Sequence, residues 1–262
     1  MRINILCATS ILCAVLCSCS VKEDRVGCPC HLDIYLEDSR LYVDKLAVSG
    51  WSLAGERTFL DKVDPENYPG VYEKKVEKSF LSVCAYGGHQ KMSLKGGRLT
   101  IPEGSQCDRI RAFRSDVIDA NGERAEVHVW LHKQYAELFV KMDRLTMEAG
   151  DITLRVTGNV NGMDIFSLEA LNGPFHCFAG MDKEMNHTVC LPRQYDNSLI
   201  LEIYVNGVLE RTVALGELIS AAGYSWTKED LDDIYISLSL YMQSTVTISI
   251  NSWDTENYTF KI

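Results

Sequence analysis

Near the start of this chain, cysteine is the residue type most able to bind a metal or to form a covalent bond. Two Cys-x-Cys pairs, Cys17/Cys19 and Cys28/Cys30, lie close together, and His31 follows the second pair. Thiols and an imidazole are ligands that zinc prefers. Structural zinc sites, however, usually place two to four residues between paired ligands, and here only one residue lies within each pair. The spacing therefore disfavours a zinc site, and we expect neither a metal nor a cofactor.

The residues before Cys19 have the composition of a signal peptide. One basic residue, Arg2, is followed by an apolar run without an acidic residue. The run is shorter than the ~20 apolar residues that span a bilayer. It ends in Leu16-Cys17-Ser18-Cys19, which resembles the lipobox of bacterial lipoproteins. The resemblance implies cleavage between Ser18 and Cys19 and attachment of acyl chains such as palmitate to Cys19, whereas an uncleaved apolar helix is the alternative.

The residues that follow predict where the lipid holds the protein. Lys22, Glu23 and Asp24 come soon after Cys19, and this order is similar to the surface-export signal of lipoproteins in Bacteroidetes. An ordinary solvated tether is the alternative. We therefore expect a lipoprotein signal peptide over residues 1–18, a lipidated tether over 19–30, and an outer-membrane protein exposed at the cell surface.

The composition argues against several classes of function. The net charge is −10, and an acidic surface repels nucleic-acid phosphates and offers no basic patch to lipid headgroups. The sequence has no nucleophile elbow, no zinc-protease motif and no glycine-rich phosphate loop. His128 and His132 have helical spacing but lie in a stretch that alternates as a strand. We therefore expect a protein that is not an enzyme, has no small-molecule substrate, and attaches to the membrane through lipid alone.

Six cysteines follow the processing site, and an even number outside the cytoplasm predicts disulfides. They are Cys28, Cys30, Cys84, Cys107, Cys177 and Cys190. The short spacing favours a bridge between Cys177 and Cys190. Either of the first two cysteines could then reach Cys84 or Cys107, but sequence alone leaves the connectivity open.

Most of the remaining chain alternates with a period of two, which predicts strands. Residues 32–36 show this pattern clearly, and Asn206-Gly207 supplies the pair of positive φ angles that a type I′ hairpin turn requires. Residues 158–162, rich in Gly and Asn, indicate another turn. Helical patterns are confined to residues 215–222, which end before a glycine, and to a possible helix start at 227–231. The pattern as a whole predicts an all-β protein built of antiparallel sandwiches.

A domain boundary is predicted in the middle of the chain. Residues 125–141 alternate on both sides of a polar interruption that begins at His132. One sandwich could end there and pass directly into another. We therefore predict an N-terminal β-sandwich over residues 31–131 and a C-terminal β-sandwich over residues 132–262, each long enough to form a core.

Several motifs, taken in their order, give a family resemblance. They are the lipobox, the Cys-Pro step at Cys28–Cys30, the Lys-Gln-Tyr-Ala sequence at Lys133–Ala136, the Gly-Tyr-x-Trp sequence at Gly223–Trp226, and a late strand ending in Trp253. Together they resemble the FimB-type fimbrial anchor lipoproteins of Bacteroidales. The resemblance implies two tandem transthyretin-like β-sandwich domains and a place at the base of a surface fimbria. There the protein would attach the shaft to the outer membrane and affect its length, with a fimbrial shaft subunit as its partner.

The end of the sequence has the pattern that β-strand addition requires. Tyr258, Phe260 and Ile262 are apolar at every second position, and an added strand binds through its main chain and its alternate side chains. These residues form either the last strand of the second sandwich or a donor strand offered to the first shaft subunit.

A surface glycan-binding lipoprotein is the alternative from a different class. The sugar rings of a bound glycan would stack on an exposed tryptophan, and the candidates are Trp51, Trp130, Trp226 and Trp253. A glycan binder should leave at least one of them in a concave, exposed site. The anchor interpretation instead buries them and leaves a strand edge open to a protein.

Overall fold

The computed structural model describes residues 27–36, 39, 41–68, 70–143, 150–181, 186–240, 244–251 and 257–262. The predicted signal peptide and the lipidation site at Cys19 lie outside these ranges, as does most of the predicted tether. Among the described helices, none combines the length and the hydropathy needed to cross a bilayer.

Strands account for most of the described chain, which confirms the all-β prediction. The strands before residue 131 are β1 (Cys30–Tyr35), β2 (Leu46–Ser52), β3 (Arg57–Val63), β4 (Val71–Val76), β5 (Phe80–Gly87), β6 (Ser93–Lys95), β7 (Arg98–Thr100), β8 (Arg111–Arg114), β9 (Ile118–Asp119) and β10 (Arg124–His128). The later strands are β11 (His132–Lys133), β12 (Tyr135–Met142), β13 (Ile152–Asp164), β14 (Ala170–Phe178), β15 (Gly180–Met181), β16 (His187–Pro192), β17 (Ile200–Val205), β18 (Val208–Val213), β19 (Ile234–Ser239), β20 (Thr245–Ile250) and β21 (Tyr258–Lys261). The named helices are α1 (Leu215–Ala221) and a single 3-10 turn at Pro65–Asn67.

The strands form four sheets. Sheet I has the order β10-β1-β4, and sheet II has the order β11-β8-β5-β2-β3 with β9 beside β5. Sheet III has the order β18-β17-β13-β7-β6 with β14 beside β13, and sheet IV has the order β15-β16-β12-β19-β20-β21. The pairs β1–β10 and β12–β19 are parallel, and the other described pairs are antiparallel. The first long strand of each half thus pairs in parallel with a strand late in that half.

Two clusters of buried apolar side chains correspond to two cores. The first joins sheets I and II and includes Leu32 and Ile34 of β1, which confirms the predicted buried face. The second joins sheets III and IV through residues such as Leu138 and Leu154. It also takes in side chains from the other face of sheet II, Cys84 among them. Strands β2 and β5 are therefore covered on both faces, which explains their continuous burial.

A hairpin from the first half of the chain belongs to a sheet of the second half. Strand β7, joined to β6, pairs with residues 162–164 of β13. The approach is so close that a Cβ at Gly162 would lie 2.0 Å from the carbonyl oxygen of Leu99. Only glycine permits this contact. The two halves therefore interleave, and the proposed boundary between residues 131 and 132 stays a prediction.

The turn predicted at residues 158–162 is wrong. Strand β13 runs through it, with shifts in register between Gly158 and Gly162 where it pairs with β14. Bulges of this kind bend a strand and let it change partners. The first part of β13 pairs with β17, and the last part pairs with β7.

The local predictions in the second half had mixed outcomes. Asn206 and Gly207 both have positive φ and join β17 to β18, as the hairpin motif predicted. Helix α1 also forms, and Gly223 follows it with φ +79°, which confirms the glycine stop. The helix start predicted at residues 227–231 is wrong, since these residues form a turn and bends, and Arg193 donates to the carbonyls of Lys228 and Glu229.

Candidate functional site

The last strand, β21, lies at one end of sheet IV and pairs with β20. The structure thus has it as a strand within its own sandwich, one of the two alternatives that the sequence left open. Phe260 and Ile262 are half-buried against the second core, whereas Tyr258 is exposed. The predicted alternation is therefore real, although only its last two residues pack inward.

The register of β21 defines which of its main-chain groups are free to bind another strand. The amide of Ile262 donates to the carbonyl of Ser244 at 2.8 Å, so the main chain of Ile262 faces β20. Main-chain groups alternate in direction along a strand, and those of Phe260 and Tyr258 therefore also face β20. The N–H and C=O of Thr259 and Lys261 point outward, where the described chain has no further strand.

The end of β21 is held in place by another sheet. Nη1 of Arg211, on β18 of sheet III, donates to the carbonyl oxygen of Ile262 at 2.7 Å. The hydroxyls of Thr247 and Thr259 are 2.9 Å apart across the β20–β21 pair. These contacts favour a strand that stays in its own sheet and presents a free edge, rather than one that leaves.

The candidate disulfide residues are free thiols. Cys28 is exposed, and the other five are buried. The bridge expected between Cys177 and Cys190 is not formed, and Cys30 lies in a different core from Cys84. Burial raises the pKa of Cys84 and of Cys177 to about 12.

The candidate metal ligands are not brought together. His31 Nδ1 lies 2.7 Å from Glu73 Oε1, and His132 Nδ1 lies 3.1 Å from Asp230 Oδ2. Tyr35 stacks on His128 with ring centroids 4.5 Å apart. Within the described residues, no group of three or more His, Cys, Asp or Glu side chains is placed to hold a metal ion.

The tryptophans divide into packing residues and one exposed residue. Trp51 is buried, and its ring lies 5.3 Å from that of Phe166. Trp226 is half-buried and meets the ring of Tyr224 edge-on at 4.7 Å. Trp130 is 52% exposed, so the burial of the tryptophans that the anchor interpretation predicted is wrong at this residue. Trp253 lies outside the described residues.

Trp130 lines an open cleft of about 400 Å³. The cleft lies at residues 129–133 and Asp230, a region that we call the junction of the two halves. The exposed ring of Tyr42 also lines it, with the Arg111 guanidinium 4.0 Å from the ring centroid. The polar residues Ser39, His132, Lys133 and Asp230 also line it. Ser39 is buried, and its Oγ has no hydrogen-bond partner among the described residues. The cleft thus combines two apolar rings with charged and neutral polar groups.

Two motifs that carried the family resemblance meet at this junction. Arg193 donates from Nε to Oε1 of Gln134 at 2.9 Å and from its terminal nitrogens to the carbonyls of Trp226, Lys228 and Glu229. The burial that this requires lowers the pKa of the guanidinium.

Sequence reasoning missed the residues that build the junction. Asp230 accepts from the N–H of Lys133 at 2.6 Å, and Asp233 accepts from the N–H of Glu137 at 2.9 Å. These partners lie far apart in the sequence, so no local pattern marks them. The Lys-Gln-Tyr-Ala and Gly-Tyr-x-Trp motifs did mark the two segments that meet here, but nothing in the sequence indicated that they are in contact.

The structure is similar to solved structures of bacterial fimbrial proteins and of a candidate polysaccharide-binding protein. The fimbrial anchor protein Mfa2 from Porphyromonas gingivalis is 14% identical, with 88% of this chain and all of that chain covered and a TM-score of 0.62. A candidate polysaccharide-binding protein from Bacteroides thetaiotaomicron is 12% identical, with 89% and 98% covered and a TM-score of 0.60. A fimbrial assembly protein from Parabacteroides distasonis is 11% identical, with 90% and 100% covered and a TM-score of 0.51.

No family model and no curated protein sequence matches this chain. At the identities found, the structural likeness establishes a shared fold and confirms the predicted resemblance at that level.

Proposed function

We propose that this chain is a non-catalytic, lipid-anchored outer-membrane protein that holds a surface fimbria at its base. It would bind the first shaft subunit by β-strand addition at the edge of β21. The shared fold with a fimbrial anchor protein and a fimbrial assembly protein supports this role, and the lipobox ending at Cys19 supports attachment to the membrane.

The observation that carries the proposal is the outward-facing main chain of β21. A strand at the end of a sheet presents unpaired N–H and C=O groups that another strand can pair with. Here the outward groups belong to Thr259 and Lys261, and both side chains are exposed. Phe260 and Ile262 pack on the core, and Arg211 holds the chain end, so the edge is presented on a fixed strand.

A proline at this edge tests the proposal. Thr259→Pro removes one outward N–H, and proline is tolerated where an edge N–H faces solvent. Thr259→Ala is the matched control, since it loses the same side chain but keeps the N–H. Full-length chain would be purified in mild detergent from cells that make fimbriae, and the shaft protein recovered with it would be quantified.

We expect Thr259→Pro to recover at least tenfold less shaft protein than the wild type, and Thr259→Ala to recover the wild-type amount. Equal recovery with proline would exclude this edge. No fimbrial protein with the wild type would refute the anchor role itself. Cys19→Ala should abolish labelling by palmitate and release the protein from the membrane.

The cleft beside Trp130 favours a second candidate, a surface glycan-binding protein. An exposed aromatic ring stacks on the apolar face of a sugar, while the charged groups Arg111 and Asp230 can bind its hydroxyls. Trp130→Ala should abolish retention on a glycan array, whereas Tyr195→Ala, at a ring of similar exposure elsewhere, should not. No retention of the wild-type protein on any glycan would refute this candidate.

A further inference from the structure

Three buried thiols meet where the two halves of the chain interleave. Cys107 lies between β7 and β8, Cys177 lies on β14 and Cys190 lies on β16. All three belong to the second core. The N–H of Cys107 donates to the carbonyl of Cys190 at 3.1 Å, and the Cys107 thiol itself donates to the carbonyl of Asp108 at 3.1 Å. The side chain of Cys190 is near enough to raise the pKa of the Cys107 thiol.

The main-chain hydrogen bond from Cys107 to Cys190 brings the two backbones close together. Hydrogen-bonded residues on neighbouring antiparallel strands have Cα atoms about 5.5 Å apart, and disulfides bridge Cα atoms about 4.4–6.8 Å apart. Gln106 fixes this arrangement: its Oε1 accepts from the N–H of Cys190 at 3.1 Å, and its Nε2 donates to the carbonyls of Phe178 and Thr188 at 3.3 and 3.4 Å.

The pair is buried, with 7% of Cys107 and 8% of Cys190 exposed, but it borders the protein surface. Both cysteines line an open cleft of about 500 Å³, together with Gln106, Arg109 and Glu137. The contact with Cys190 and burial raise the pKa of the Cys107 thiol well above its usual value, so its thiolate is scarce at neutral pH. Reaction in the folded protein should therefore be slow at pH 7 and faster at higher pH.

We infer that Cys107 and Cys190 form a structural disulfide when the chain encounters an external disulfide. One thiolate attacks that disulfide, forms a mixed disulfide and releases the first external thiol. The second cysteine then attacks the protein sulfur and releases the second thiol. The external disulfide is reduced by two electrons, the two cysteines are oxidised, and their two protons leave on the released thiols.

The bond would fasten the segment that follows β7 to β16 of sheet IV, and so lock the two halves together. A cross-link that closes a loop of roughly 80 residues restricts the unfolded chain strongly. The effect on a protein of this size should be a rise in Tm on the order of 10 °C.

Peptide mapping of the purified chain tests the inference. The reduced protein is incubated with glutathione disulfide at pH 8.5, then alkylated in denaturant, digested without reductant and analysed by mass spectrometry. We expect a Cys107–Cys190 peptide pair, with Cys84 and Cys177 alkylated, and a Tm that falls again on reduction. Cys107→Ala should lose the oxidation-dependent rise in Tm, whereas Cys84→Ala should keep it. A Cys177–Cys190 peptide, or alkylation of Cys107 and Cys190 after oxidation, would overturn the inference.

Discussion

Arg193 and Gln134 are joined by a hydrogen bond of 2.9 Å between Nε and Oε1. The bond connects the end of β16 with the residue between β11 and β12, next to the boundary predicted between residues 131 and 132. The same guanidinium holds the loop before β19 through its carbonyls. One side chain thus organises three segments of the junction.

Loss of this guanidinium should destabilise the protein. Arg193→Ala leaves the half-buried Trp226 carbonyl and the buried Gln134 amide without their donor, and we expect a loss of about 2–4 kcal/mol in the free energy of unfolding. Arg98→Ala, at an exposed arginine on β7, should cost less than about 0.5 kcal/mol. Urea unfolding of both variants measures the difference, and equal midpoints would contradict a central role for Arg193.

Asp108 should be another sensitive position. Its Oδ2 accepts from the N–H groups of Gln90, Lys91 and Met92, each at 2.7 Å, and so fixes the segment that leads into β6. Charged acceptors of this kind form strong hydrogen bonds. We expect Asp108→Ala to lower the free energy of unfolding by about 3 kcal/mol. The exposed residue Asp44 provides the control, and Asp44→Ala should unfold at the wild-type urea midpoint.

The turn between β17 and β18 depends on its glycine. Gly207 has φ +79° and open space around the position of a Cβ, so Gly207→Ala tests backbone conformation alone. We expect a loss of about 1 kcal/mol. Gly180 also faces open space but is not among the residues with positive φ. Gly180→Ala should leave the thermal midpoint unchanged or raise it slightly, and a fall as large as that of Gly207→Ala would contradict the explanation.

The junction should weaken in acid. Burial alone would raise the pKa of Asp230, but hydrogen bonds from the N–H of Lys133 and from His132 outweigh it and lower the pKa below the usual value. Ionised Asp230 therefore stabilises the fold above the pKa of the unfolded state, near 4. This contribution is lost as the pH falls through the lower pKa of the folded state.

Unfolding in urea between pH 6 and pH 2.5 measures this dependence. The stability advantage of the wild type over Asp230→Asn should shrink as the pH falls below about 4. Asp116→Asn, at an exposed aspartate, should follow the wild-type curve in parallel. An advantage that stays constant down to pH 2.5 would show that ionised Asp230 does not contribute.

Local pattern predicted the elements of this fold better than their partners. Alternation identified β1 and β12, and Asn206-Gly207 identified a hairpin turn, because each feature depends on neighbouring residues. The glycines at 158–162 were interpreted as a turn although they serve a strand that bulges and changes partners. Glycine marks either case, and the choice depends on β7, which lies about 60 residues earlier.

In the candidate site, too, the sequence predicted the strand but not its contacts. The alternating residues of β21 were predicted, but which main-chain groups face outward follows from the register with β20. The disulfide pairing suggested by sequence distance was also not formed. Cys107 meets Cys190 because the hairpin of β6 and β7 enters the second half of the molecule, and that insertion has no local signature.

The inserted hairpin also imposes an order on synthesis. Strand β7 can be paired by β13 only after roughly 60 further residues have been made, which takes several seconds at about 5–20 residues per second. Leu99, fully buried in the finished protein, is exposed during that time. The first half of the chain therefore lacks its contacts with the second half until that half has been synthesised. The hairpin of β6 and β7 must therefore be kept free of premature contacts until the second half arrives.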